Sequence, residues 1–249
     1  MTPPETGFER LAPPAPGEWR SLFKEREQTF DAYVSRCAPR KSAARATIQL
    51  QPLGDAAQRY AATIRLLRDY AAIYFGVAVR LLDPLPLFER AHVLPRDQHN
   101  SSMILGELAD RVPADAIAVL GLTDRDLFAL GKNYVFGEGS FENRAGIHSL
   151  ARFETPDAAL FTRRALRLAT HEIGHLLGID HCVTHRCLMQ GSNTLGESDR
   201  HPLHLCPADL RKLEWSTGVD RLRRYRELGP FYAKAGLSDE AAWVEDRTR

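Results

Sequence analysis

The sequence has no apolar run long enough to cross a bilayer, and its first residues, MTPPETGFERLAPPAPGEW, contain neither a basic stretch nor an apolar segment of the kind that directs secretion. A membrane anchor is therefore not expected, and the cytoplasm is the expected compartment. Surplus charge is also missing, with 33 Lys and Arg against 32 Asp and Glu. Without a net field to hold a polyanion or an anionic membrane surface, neither nucleic acid nor membrane is expected as a partner, and the chain reads as a monomer. Cysteine is scarce: Cys37, Cys182, Cys187 and Cys206 in 249 residues. Four cysteines allow two disulfides in a secreted chain, but in a reducing compartment three of them close to histidines read as metal ligands. Hydrophobic residues make up 44%, enough to bury one substantial core.

Residues 1–18 are rich in proline and poor in apolar anchors, which predicts a flexible tail. In residues 19–44, Trp19, Leu22, Phe23, Phe30 and Tyr33 follow roughly helical spacing ahead of the basic, turn-like CAPRKSAAR, so an accessory helix and linker are expected. Residues 45–249 read as the main domain. ATIQLQPLG alternates as a strand does, with Ile48 and Leu50 on one face; Asp55 then caps a helix to about Tyr70. FGVAVRLLDPLPL reads as a second strand, and RDQHNSSMILGELADR as a helix with Met103, Ile104 and Leu108 on one side. DAIAVLGLTD is a buried strand, and NYVFGEGSFENRAGIHSLARF two more strands around a Gly-rich loop, one of them an edge strand. Strands alternating with helices give an α/β, or mixed α+β, class. Thr155, Pro156 and Asp157 open a long helix, which Gly178 stops.

The last turns of that helix read HEIGHLLGIDH. His171 and His175 are four residues apart, about 40° of rotation on a helix, so their imidazoles leave one face and can share a metal. Glu172 between them is placed to bond a metal-bound water and take its proton as general base. Gly178 can take the left-handed conformation that turns the chain and returns His181 as third ligand. Three histidines leave the fourth position of a zinc ion open, which a catalytic site requires. HExxH arises by chance in about a few per cent of chains of this size; with Gly178, His181 and Met189 the figure falls to on the order of one in ten thousand.

HEIGHLLGIDH resembles the HExxHxxGxxH signature of the metzincin clan of zinc metallopeptidases, and Met189 resembles the methionine of the turn beneath the zinc. More narrowly the chain is similar to the archaemetzincins (archaelysins), whose pattern of cysteines after the third histidine and in a distant CxxC pair falls here on Cys182, Cys187 and Cys206. TIQLQPLGD, RDQHNSSMIL, LTDRDL and NYVFGEGS extend the resemblance over about residues 45–215. It implies a metzincin-like zincin domain: a twisted, mainly parallel sheet with one antiparallel edge strand over an active-site helix, and a mainly helical C-terminal part. It also implies two zinc ions, one catalytic and one structural. The departure lies at the last position of the CxxC pair, where this sequence has Asp209. Zinc accepts carboxylate, so Asp209 is a candidate fourth ligand beside the three thiolates, with His185, His201 and His204 as competitors; equally, Asp209 suits an N-cap for the following helix.

The expected activity is hydrolysis of peptide bonds in a peptide or protein substrate, either within the chain or at its amino terminus. The alternative is a zinc protein of the same fold that binds peptides with weak cleavage or none. Weaker candidates are Tyr134, Tyr225 and Tyr232 as oxyanion donors, His148 as a surface histidine on the substrate-pairing edge strand, and Cys37 as an isolated thiol.

Overall fold

Strand β1 (Thr47–Leu53) is buried along its whole length, both the apolar Ile48 and Leu50 and the polar Gln49 and Gln51 between them. Burial on both faces is what a parallel strand covered by crossover helices undergoes, and it demands partners for the glutamines. Gln49 donates to the Asp115 carboxylate at 3.1 Å, and Gln51 to the Asp83 carbonyl at 2.7 Å. The computed structural model describes residues 7–36 and 38–248. The expected lone thiol Cys37 and the first six residues of the expected tail lie outside them.

Among the described residues the main sheet comprises β1, β2 (Ala78–Leu81), β3 (Ala116–Thr123), β4 (Gly137–Ser140) and β5 (Ala145–Ser149), in the order β2-β1-β3-β5-β4. All neighbours are parallel except β4 and β5, which run antiparallel and leave β4 at the edge. The class is thus mixed α/β, with the mainly parallel sheet and antiparallel edge strand expected. Helix α1 (Ala61–Phe75) and helix α3 (Ala158–Leu176) bury Ile64, Tyr74, Leu166, Ala169 and Ile173 against one face. Helix α2 (Ser101–Ala109) covers the other through Ile104 and Leu108, which meet Leu53, Ala145 and Ile147. At about 2 kcal/mol for each buried Leu or Ile, these contacts outweigh any intrinsic helix preference. Met103, expected beside them, is 46% exposed because it lies off the buried stripe. Helices α4 (Pro207–Thr217), α5 (Arg221–Lys234) and α6 (Ser238–Glu245) form the helical C-terminal part.

The N-terminal segment departs from expectation. Residues 19–34 do not form one helix: Trp19–Leu22 and Phe30–Ser35 are helical and the chain between them has no regular secondary structure. Helices of four and six residues do not stand alone in water, so tertiary contacts hold them. The described part of the expected tail is also docked, with Leu11 N–H bonded to the Thr184 carbonyl and Phe8 edge-on to His204 and Trp243.

His148, read as a surface residue on the edge strand, is fully buried on β5, one strand in from the edge. Along β5, Ala145 and Ile147 point to one face and Gly146 and His148 to the other, where His148 meets Phe153 at a ring separation of 5.3 Å. Neither ring nitrogen has a hydrogen-bond partner among the described residues. Burial pushes its pKa down from 6.5 to about 3, so the folded protein holds the ring neutral. Between these values the unfolded chain binds a proton that the folded chain does not, and stability falls as pH falls through that window. From pH 6.5 to pH 5 this one residue withdraws about 2 kcal/mol. His148→Leu is expected to narrow the difference in melting temperature between about pH 7 and about pH 5; an unchanged difference contradicts the assignment.

Candidate metal centre

Helix α3 starts at Asp157, whose carboxylate accepts from the backbone N–H groups of Ala159 and Leu160. Its C-terminal half is buried nearly all round, and the chain leaves it through Gly178 at φ 81°. That left-handed residue brings His181 back toward His171 and His175. One ring nitrogen of each histidine lies within 4.8 Å of the others, and the Nε2 atoms of His171 and His175 are 3.0 Å apart.

The opposite ring nitrogens are engaged outward. His171 Nδ1 donates to the Leu188 carbonyl at 2.9 Å, His175 Nδ1 to the Ile179 carbonyl at 2.8 Å, and His181 Nδ1 to the Glu25 carboxylate at 2.8 Å. Burial holds the His171 pKa well below the usual value and that of His175 near 3, so both rings are neutral and each carries its single proton on Nδ1. Two Nε2 lone pairs then face each other at 3.0 Å, an arrangement suited to a shared cation and repulsive without one. The donor set and the outward bonds fit a zinc ion held by three imidazoles.

Glu172 faces a cleft of about 550 Å³ lined by all three histidines and by Trp19, Tyr134 and Asn193. Edge strand β4 approaches so closely that a Cβ on Gly137 would lie 2.6 Å from Glu172 Cδ. Burial, reinforced by the charge of Glu138, raises the Glu172 pKa to about 8. Beneath the histidines Met189 is fully buried, and a Cβ on Gly174 would lie 2.5 Å from its sulfur. Arg167, one turn before His171 and 1% exposed, donates to the carbonyls of Leu188 and Gln190 and bonds Ser198 and His201. It thereby pins the turn whose Leu188 carbonyl orients His171. Of the three candidate tyrosines only Tyr134 lines the cleft; Tyr232 is buried against the Tyr70 hydroxyl and Tyr225 lies beside Trp243.

The second cluster lies beside the first, joined to it by the peptide bond between His181 and Cys182. Ligand atoms of Cys182, Cys187, Cys206 and Asp209 lie within 4.8 Å of one another and all four residues are buried. Asp209 Oδ2 faces the sulfurs of Cys187 at 3.3 Å and Cys206 at 3.4 Å, while Oδ1 accepts from buried Lys212 at 2.8 Å. Asp209 is not an N-cap: α4 starts at Pro207 after Cys206, and Asp209 sits in its first turn. The competing histidines point elsewhere, His201 to Arg167, His204 onto Trp243 and His185 to Thr184. Burial raises the Cys187 thiol well above its usual range and Asp209 to about 6, so the four groups resist ionising together without a cation. A tetrahedral zinc of three thiolates and one carboxylate fits them.

Comparison with known proteins gives a match to the family model described as peptidase family M54, over residues 100–215. The chain is 31% identical to archaemetzincin-2 of Mus musculus, covering 89% of this chain and 74% of that protein. It is likewise 31% identical to the archaemetzincin of Archaeoglobus fulgidus, covering 68% of this chain and 99% of that protein. The crystal structure of the Archaeoglobus protein superposes with a TM-score of 0.59, over 67% of this chain and 99% of that one. The archaemetzincin of Methanopyrus kandleri gives 0.64 at 27% identity, over 72% and 99%.

The contact between Gly174 and Met189 is testable. Gly174→Ala overpacks a closed space and is expected to destabilise the protein by about 1–3 kcal/mol, read as a lowered melting temperature. Combined with Met189→Ala it should cost less than the sum of the two single changes, because the second removes the atoms that the first strikes; simple additivity would show that the two residues do not press on each other.

Proposed function

From the premise that this chain belongs to the archaemetzincin family and is a zinc-dependent metallopeptidase, we propose that His171, His175 and His181 hold the catalytic zinc and that Glu172 is the general base. The observation that carries this reading is the convergence of three outward-anchored imidazoles at the floor of a cleft that Glu172 also faces. Zinc bound there supplies a Lewis acid that polarises the scissile carbonyl and acidifies the attacking water. Glu172 accepts the proton of that water and passes it to the leaving amine.

The unpaired edge of β4 borders the cleft at Gly137, Glu138 and Gly139. An extended peptide adding to this edge as a further strand would present its carbonyl to the site, with the absence of side chains at Gly137 and Gly139 allowing close approach. Tyr134, whose hydroxyl is 3.4 Å from the Asn193 carbonyl across the cleft, is the candidate donor to the developing oxyanion. The HExxHxxGxxH spacing, the left-handed Gly178 and the buried Met189 speak for the metzincin type.

We assign Cys182, Cys187, Cys206 and Asp209 to a second, structural zinc, for two ions per chain. Lys212 neutralises the outer oxygen of Asp209 and leaves the inner one for the metal. The buried free thiols suit the reducing cytoplasm. Among the described residues no helix is long and apolar enough to cross a membrane.

Glu172→Gln is expected to keep its zinc and lose about 10²–10⁴-fold in kcat/KM on a quenched peptide substrate, with metal analysis alongside; retention of most activity would sink the assignment. Cys187→Ser should lower zinc from two ions per chain to one, counted by elemental analysis of the purified protein, and an unchanged count would refute the thiol site.

A further inference from the structure

The mechanism leaves unused the segment from Glu18 to Arg36, yet its contacts converge on the catalytic histidines. One end grips the turn between His175 and His181. Gln28 donates to the Gly178 carbonyl at 2.9 Å and accepts from Asp180 N–H at 3.2 Å, the Tyr33 hydroxyl donates to the Leu177 carbonyl, and Arg36 pairs with Asp180 at 2.7 Å. The other end is fastened beyond the methionine. Trp19 N–H donates to Glu197 at 2.9 Å, Arg200 pairs with Glu18 at 2.8 Å, and the indole lies flush on Gly191, where a Cβ would come within 2.5 Å of it.

Between the two anchors stands Glu25. One of its carboxylate oxygens accepts from His181 Nδ1 at 2.8 Å and the other from the Trp19 indole N–H at 2.9 Å. The Trp19 ring also meets His181 edge-on at 5.1 Å, and Lys132, which also lines the cleft, lies over the Trp19 ring at 5.1 Å. His171 and His175 are oriented by main-chain carbonyls next to the helix itself. His181 alone is oriented by a side chain, one that is 156 residues away in sequence. It also sits past the end of the helix, where no helical ladder limits its movement.

We infer that residues 18–36 form a strap belonging to the catalytic centre, in which Glu25 is a positioning residue for His181 and Trp19 a positioning residue for Glu25. The inference rests on the reading of the three histidines as zinc ligands. A carboxylate bonded to the outer nitrogen of a ligating imidazole fixes its tautomer and rotation and makes the inner nitrogen a better donor; loss of such a partner typically weakens metal binding about 10–100-fold. The carboxylate is in turn held by the indole, so its own rotation is restrained before the histidine arrives. The strap thus sets how tightly the site holds zinc, and its aromatic residues form the cleft wall beside the third ligand.

The test uses the full chain and zinc affinity, measured by competition with a chromophoric chelator. His171→Ala identifies the binding step that belongs to the histidine site. Glu25→Ala is expected to weaken that step about 10–100-fold and to leave the thiol-site step unchanged. Glu25→Gln, which keeps an acceptor of the same shape without the charge, should fall between Glu25→Ala and wild type, as should Trp19→Phe, which removes only the N–H. Circular dichroism of the near-isosteric Glu25→Gln guards against misreading an unfolded variant. An affinity in Glu25→Ala within about twofold of wild type, where Glu25→Gln is folded and His171→Ala is impaired, overturns the strap alone. A wild-type protein whose zinc binding matches that of His171→Ala overturns the zinc-ligand reading on which the strap rests.

Discussion

Three imidazoles point their inner nitrogens at one place, and keeping them so aimed is the constraint that the rest of the structure serves. Each donates a hydrogen bond from its outer nitrogen to an acceptor on its far side, and each acceptor must itself be held. The Leu188 carbonyl is held by Arg167. The Ile179 carbonyl is presented by the left-handed turn at Gly178. The Glu25 carboxylate is held by the Trp19 indole. The sheet's part is to supply, through the buried strands β1, β3 and β5, a surface against which α3 cannot rotate, since Leu166, Ala169 and Ile173 would have to leave the core for it to do so.

What the sequence made legible follows from spacing. Two histidines four residues apart on a helix, followed by a glycine and a third histidine, can be recognised by counting, and so can β1 from its alternation and β3 from an apolar run bounded by turn residues. The supporting residues could not be found that way. Glu25 is one acid in a charged stretch, KEREQ, and only the fold shows that it ends beside His181. Arg167 is one of three arginines in RRALR, and its burial depends on the loop after Met189 folding back over it. Gly137 and Gly174 matter because other atoms come close to them, not for any local conformation. The stripe from Trp19 to Tyr33 suggested one helix because helical periodicity cannot distinguish a helix from two short pieces whose apolar residues reach different neighbours. His148 was misplaced because the Gly-rich hairpin carries two strands, and the outer one is Gly137–Ser140.

If the thiol cluster holds zinc as proposed, Asp209 shows how a carboxylate among thiolate ligands is accommodated by its neighbours. Exchanging a thiolate for a carboxylate leaves a second oxygen that a buried site must satisfy, and Lys212, 3% exposed and one turn along α4, does so. An ammonium there would be costly on its own; paired with Asp209 it balances part of the negative charge gathered by three sulfurs. His181 and Cys182 are adjacent, so the thiol cluster on one side and the strap on the other bear on the same short stretch of chain.

The pairing of Glu25 with His181 also has a bearing on how the molecule is made. The carboxylate leaves the ribosome early and its partner about 156 residues later, while the parallel pairing of β1, β3 and β5 likewise joins distant segments. Such non-local contacts close slowly, because loop entropy is lost before the contacts repay it. The third imidazole therefore acquires its orientation only once Glu25 and His181 have both been synthesised and brought together, so a nascent chain that ends before His181 lacks an assembled histidine site.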